Sequence, residues 1–95
     1  MKLKILLKEL RKELRDRVSK LDSAQHRAKA AKKADDCIAK MLFRGLSSNH
    51  VSCEEELTGV DAEYVRGEFL NARNVDEVTK ANTRVLNHLV SNYAR

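Results

Sequence analysis

Leu3-Lys4-Ile5-Leu6-Leu7-Lys8-Glu9-Leu10-Arg11-Lys12-Glu13-Leu14 is the stretch whose reading decides the fold. Leu3, Leu7, Leu10 and Leu14, followed by Val18 and Leu21, step by 4, 3, 4, 4 and 3 residues. That is the return of one face of an α-helix. Leu6 widens the face, and the pattern predicts a helix over about 2–21. Each buried side chain of this kind contributes about 1.5–3 kcal/mol gross. Ordering the chain cancels most of it, so the stripe requires other helices to pack against.

Those helices follow along the chain. Asp22-Ser23 reads as a break and an N-cap. A second helix over about 24–44 carries Ala30, Ala34, Cys37 with Ile38, and Met41 on one face. Its first inward positions are small, so a neighbour can approach closely there, and Cys37 reads as a core residue. Gly45 suits the position just past the last turn. Residues 46–52 form the main loop. Ser52 and Glu55 have capping-box spacing, so a helix is expected from Cys53, continuing over 53–73 or broken near Gly59. In the broken case Asp61 caps a piece over 62–73. Asn74-Val75-Asp76 makes a tight turn, with Asp76 capping a last helix over about 77–94. Val78, Ala81, Val85, Leu89 and Tyr93 share one face of it. The expectation is all-α: one domain over 1–95, a small antiparallel bundle of three to four helices.

Composition agrees. The chain has 95 residues, enough for a single modest core. It has no Pro, and Gly only at 45, 59 and 67. Residues 1–45 hold 14 Lys and Arg against 6 Asp and Glu, whereas residues 46–95 hold 5 against 8. A strongly basic half attracts an acidic partner: a protein, a nucleic acid or an anionic membrane. Two cysteines, Cys37 and Cys53, are too few for a disulfide framework and favour a reducing compartment. No apolar run approaches membrane-spanning length. The first twenty residues are basic and amphipathic, as in a transit peptide. They also contain Glu9, Glu13 and Asp16, which transit peptides avoid, so they read as retained structure, with an uncleaved import signal as the alternative.

At about 100° per residue, Lys4, Lys8, Arg11 and Arg15 fall on one narrow strip beside the leucine stripe, flanked by Lys12. Like charges four residues apart repel by a few tenths of a kcal/mol, and a bound acidic partner would relieve this. The plainer reading is a solvated face supported by Glu13–Arg17 and Asp16–Lys20 pairs. A second cluster, Arg27, Lys29, Lys32 and Lys33, has no acid between Ala24 and Ala34 and no aromatic for base stacking. It suits phosphate backbone or, again, solvent. His50-x-x-Cys53 with Cys37 supplies three metal ligands where structural zinc takes four. His26 and His88 have no partner of recognisable spacing. Glu54-Glu55-Glu56 reads as a carboxylate run that favours a helix start. No phosphate loop, nucleophile elbow or zinc-protease pair is present, so the reading is non-enzymatic.

Two segments together resemble the LYR-motif family of small mitochondrial helical proteins. Leu3-Lys4-Ile5-Leu6-Leu7-Lys8-Glu9-Leu10-Arg11 is similar to the family's opening helix, in particular the branch that assists ATP synthase assembly. Tyr64-Val65-Arg66-Gly67-Glu68-Phe69, followed by Ala72-Arg73-Asn74-Val75, is similar to its later helix and the turn into the last one. Lys2-Leu3-Lys4 stands where the family has Leu-Tyr-Arg. The resemblance implies an adaptor, assembly factor or accessory subunit in the mitochondrial matrix. Its large client would be ATP synthase, a respiratory complex or the mitoribosome. It further implies docking of an acidic acyl carrier protein, with Lys4 near the carrier's phosphopantetheine phosphate, Phe69 as the motif Phe and Arg73 as the basic residue after it. The chain would have no cofactor of its own beyond that carrier's acyl-phosphopantetheine. Lys8, Arg11 and Arg15 join this partner-binding set from the strip geometry alone. Two other readings compete: a basic helical protein bound to RNA or a ribosome, and a coiled-coil module whose leucine stripe pairs with another chain.

Overall fold

The structure, a computed structural model, describes residues 1–46 and 51–94. It is all-helical: α1 spans Leu3–Lys20, α2 His26–Arg44, α3 Gly59–Asn71 and α4 Val75–Tyr93. The architecture is a four-helix bundle made of two antiparallel hairpins, α1–α2 and α3–α4. α1 also packs on α3, and α2 on α4. The connection after α2 returns the chain to the start of α1, so α3 runs alongside α1 in the same direction. Glu13 therefore meets Arg66 and Arg17 meets Leu70.

The leucine stripe forms the core as expected. Leu3, Leu7, Leu10 and Leu14 are buried completely or nearly so, and Leu6 is buried beside them. Facing them, α2 presents Ala30, Ala31 and Ala34 before Ile38 and Met41. α3 contributes Val65, Phe69 and Leu70, and α4 adds Val78, Ala81, Val85 and Leu89. Val18 is only partly buried, so the seam opens toward the end of α1. Cys37, expected in the core, sits at its margin.

The helix ends differ from the sequence reading in instructive ways. Asp22 does not cap α2. Its carboxylate accepts from the Ala24 N–H and its carbonyl from the Gln25 N–H, a tight turn that delays the helix to His26. Gly45 takes φ 75°, where a side chain would be strained, and ends α2 as expected. α3 is capped by Thr58, whose hydroxyl accepts from the Asp61 N–H, and not by Asp61. α4 is capped by Asn74, which accepts from the Glu77 N–H at 2.9 Å, while Glu77 accepts from the Arg73 N–H at 2.7 Å. This near-reciprocal box displaces the expected cap Asp76, which lies in the first turn and pairs with Lys80. Arg84 closes the α3–α4 hairpin through two hydrogen bonds to one Glu68 oxygen and a third to the other.

The segment from Cys53 is no helix. Its carbonyls are engaged elsewhere: Cys53 and Glu55 accept from the Lys4 and Leu3 N–H groups at 2.8 and 2.9 Å, and Met1 accepts from Leu57. Those first N–H groups of α1 have no partner within their own helix, and the connector satisfies them. Buried Leu46, Val51 and Leu57 pin it to the core.

Leu10 lies mid-helix and is buried against the other helices. Leu10→Ala should therefore destabilise the fold by about 2–5 kcal/mol. Chemical denaturation of wild type and variant measures this, and an unchanged midpoint would mean the seam is not packed in the free protein.

Candidate protein-docking groove on α1 and α2

The four cations of the α1 strip do lie on one side of the helix, but three of them are already engaged within the chain. Lys4 Nζ stands 2.5 Å from Glu54 Oε1, and Lys2 shares the same carboxylate at 3.2 Å. The bonds from Lys4 and then Lys2 hold the Glu54 carboxyl below its ordinary range. Glu54 thus serves α1 from outside, not as the first turn of a helix of its own. Arg11 Nε meets Asp35 Oδ1 at 2.9 Å, and Arg15 Nε meets Asp35 Oδ2 at 3.5 Å. The repulsion expected between Arg11 and Arg15 is thus relieved by an acid of α2. Lys8 is exposed and makes no ion pair among the described residues. Of the two intrahelical pairs expected, Asp16–Lys20 forms at 3.2 Å. Glu13 instead turns to Arg66, and Arg17 donates to the Leu70 carbonyl at the end of α3.

A feature the sequence reading missed stands beside this strip. Phe43, in the last turn of α2, is 74% exposed. It lies across the helix from the Ala34–Ile38–Met41 stripe, which is the signal that marked it as a surface aromatic. The Arg11 guanidinium sits over its ring, 5.4 Å from the centroid. Lys8, Arg11, Lys12, Arg15, Asp16 and Ser19 of α1, with Leu42 and Phe43 of α2, line a groove of about 570 Å³. It combines an apolar floor, an aromatic wall and four cations against one lining acid.

Phe69 and Arg73 lie elsewhere. Phe69 is 1% exposed, on the α3 side of α1, away from the strip. It floors a separate cavity of about 310 Å³ with Leu14 and Ala72, rimmed by Arg17, Lys20 and Arg27. Arg73 stands in the turn before α4 and borders a hollow between α3 and α4. The structure therefore brings Lys8, Arg11 and Arg15 together around Phe43. It places Lys4 at the connector, and Phe69 and Arg73 on other faces.

Of the proposed zinc ligands, His50 lies outside the described residues. Cys37 and Cys53 are free thiols, both pushed up in pKa by burial, and Cys53 Sγ contacts the Met41 carbonyl at 3.5 Å. Among the described residues no three His, Cys, Asp or Glu side chains are grouped to hold a metal. None of the described helices is long and apolar enough to cross a membrane. His88, without a partner in the sequence reading, has one in space: Nε2 lies 2.7 Å from Asp61 Oδ1 and its ring 4.5 Å from Tyr64. Asp61 also accepts from the Tyr93 hydroxyl and from Thr58 Oγ1 at 3.0 Å. The cluster fastens the start of α3 to the end of α4.

No family model, curated protein or solved structure matches the chain.

Hydrogen bonds from Tyr93 and then His88 hold the Asp61 carboxyl below its ordinary range. A depressed folded-state pKa gives stability that is present above the unfolded value, about 4, and is lost as pH falls below it. Asp61→Asn should lower the melting temperature at pH 7. The gap from wild type should narrow as pH drops from about 4 toward 2. Melts across that range would expose a gap that stays constant, which would mean the carboxylate charge is not what Asp61 contributes.

Proposed function

We propose that this protein is a non-enzymatic adaptor that docks an acidic protein partner in the groove between α1 and α2. The observation that carries the reading is Phe43. Phe43 does not stand alone: Arg11 lies over its ring and Arg15 lines the same groove, and aromatic and arginine side chains are the residues enriched at interface hot spots. Lys8 and Lys12, which form no ion pair among the described residues, supply charge at the groove's edge that steers an acidic partner and sets its register. Arg11 and Arg15 are held in place by Asp35, so their donors are preorganised on the groove wall.

This reading accommodates the resemblance to LYR-motif proteins in the first helix and in Tyr64–Phe69. On it, the protein is an assembly factor or accessory subunit of a large complex in the mitochondrial matrix, and the acidic partner is an acyl carrier protein. Contact passes through Lys8, Arg11, Lys12 and Arg15 around Phe43. Lys4 joins only if the partner displaces Glu54, and Phe69 acts from the core, holding α3 against α1.

Co-expression of the tagged chain with mitochondrial acyl carrier protein, read by intact mass of what co-purifies, tests the reading. Wild type should retain the carrier. Phe43→Ala should weaken retention by about 30-fold, the scale of a 2 kcal/mol hot spot. The fold should be nearly unchanged, because an exposed cation–π contact is worth about 0.5–1 kcal/mol. Lys8→Glu with Lys12→Glu should abolish retention, whereas Arg27→Glu with Lys32→Glu, an equal charge change outside the groove, should not. Equal loss in both double variants would reduce the effect to net charge and end the proposal, as would a wild type that never retains the carrier.

A further inference from the structure

α2 carries six cations: Arg27, Lys29, Lys32, Lys33, Lys40 and Arg44. Among the described residues none of them forms an ion pair, although α1, α3 and α4 each bring cations to carboxylates. The one acid of α2 that forms a pair, Asp35, serves α1. At 100° per residue, Lys29, Lys33, Lys40 and Arg44 fall within about 60° of one another. They make a straight stripe about 22 Å long at 1.5 Å per residue, more than half of the molecule's 41 Å long axis.

The stripe does not face the α1–α2 groove. Lys33, Lys40 and Arg44 form one wall of a second groove, about 420 Å³, whose opposite wall is Thr79, Asn82 and Leu86 of α4. Among the described residues no carboxylate lines it. Asp36 stands at the stripe's outer edge, exposed and outside the groove lining. Lys29–Lys33 and Lys40–Arg44 are like charges four residues apart and repel. Asp36, three residues from Lys33 and four from Lys40, softens this, but among the described residues no carboxylate forms an ion pair with the stripe. Among the described residues no aromatic side chain lines the groove, so they offer no platform for unstacked bases. A linear polyanion whose bases are turned inward fits these features: a double helix read through its phosphates, with the neutral polar side chains of α4 along the other wall.

We propose that the α2–α4 face binds the phosphate backbone of duplex nucleic acid, independently of sequence, through Lys29, Lys33, Lys40 and Arg44. The surface is separate from the α1–α2 groove, and neither proposal depends on the other.

Fluorescence anisotropy of a labelled 20-base-pair RNA duplex, titrated with the full chain across about 50–200 mM salt, provides the test. Four neutralised phosphates give a slope of log K against log salt near about −3.6, an affinity loss of about 150-fold over that range. Lys33→Gln with Lys40→Gln should bring the slope to about −1.8 while the helical circular dichroism stays unchanged. Should that pair disturb the fold, Lys29→Gln with Arg44→Gln makes the same measurement. Lys8→Gln with Lys12→Gln, an equal loss of charge on the other groove, should leave the slope as in wild type. Four results would overturn the proposal: no duplex binding at the lowest salt, equal slope loss in all double variants, tighter binding of a single strand of the same length, or equally effective competition by polyglutamate of matched charge. The last would assign the stripe to an acidic protein.

Discussion

The close approach of α1 to α2 is the constraint on which the rest of this structure depends. Ala30, Ala31 and Ala34 project only a methyl group each toward the leucine stripe, so the two helices can lie near one another and interdigitate. That proximity lets a side chain as short as Asp35 reach both Arg11 and Arg15. Bulkier residues at the alanine positions would hold the helices apart, weakening the seam and the charge bridge together. The second hairpin then closes the other side of the leucines with Phe69 and Leu89.

The same packing decides which charges remain for a partner. The strip on α1 repels itself when viewed alone, and in the folded chain most of that repulsion is answered internally. Asp35 answers it from α2 and Glu54 from the connector. The exposed pairs among these, Lys4–Glu54 and Arg15–Asp35, add little net stability. The consequence of these pairs is positional: Arg11 is held over Phe43 and Lys4 over the connector, while Lys8 and Lys12 form no ion pair among the described residues. The basic character of residues 1–45 is therefore distributed unevenly in space. On α1 it is partly compensated and organised around an aromatic side chain. On α2 it is aligned and forms no ion pair among the described residues.

Much of the fold was legible from periodicity alone, because apolar spacing reports the inward face of a helix directly. The leucine stripe, the alanine-led face of α2 and the face of α4 all read correctly, and Gly45 ended α2 as its conformational freedom suggested. The caps did not, since Asp22, Asp61 and Asp76 each compete with a nearby Thr58, Asn74 or turn that local spacing does not rank. The connector was misread for a different reason. Ser52 and Glu55 have the spacing of a helix start, but the carbonyls of Cys53 and Glu55 meet the N–H groups of Lys4 and Leu3 in α1, far earlier in the chain. A capping signal is local, and that demand is tertiary. The pairing of His88 with Asp61 was hidden likewise, since the two lie on different helices. Phe43 was within reach of the sequence, because its position off the apolar stripe is a matter of counting.

α2 borders both grooves, and its inward composition explains why it can. Burying an alanine methyl contributes far less than burying a leucine, so α2 makes a modest contribution to the core from its first half and anchors mainly through Ile38 and Met41. What it gives up in burial it keeps in outward surface. A helix with a narrow, small inward stripe can devote most of its circumference to polar and charged side chains without exposing its core. Here one flank carries Asp35 and Phe43 toward α1, and the other carries Lys33, Lys40 and Arg44 toward α4. The two grooves share no lining residue, although Lys40 and Phe43, three residues apart, are neighbours on the outer surface of α2. The alanines that let α1 come close are thus also what leaves α2 free to present two faces.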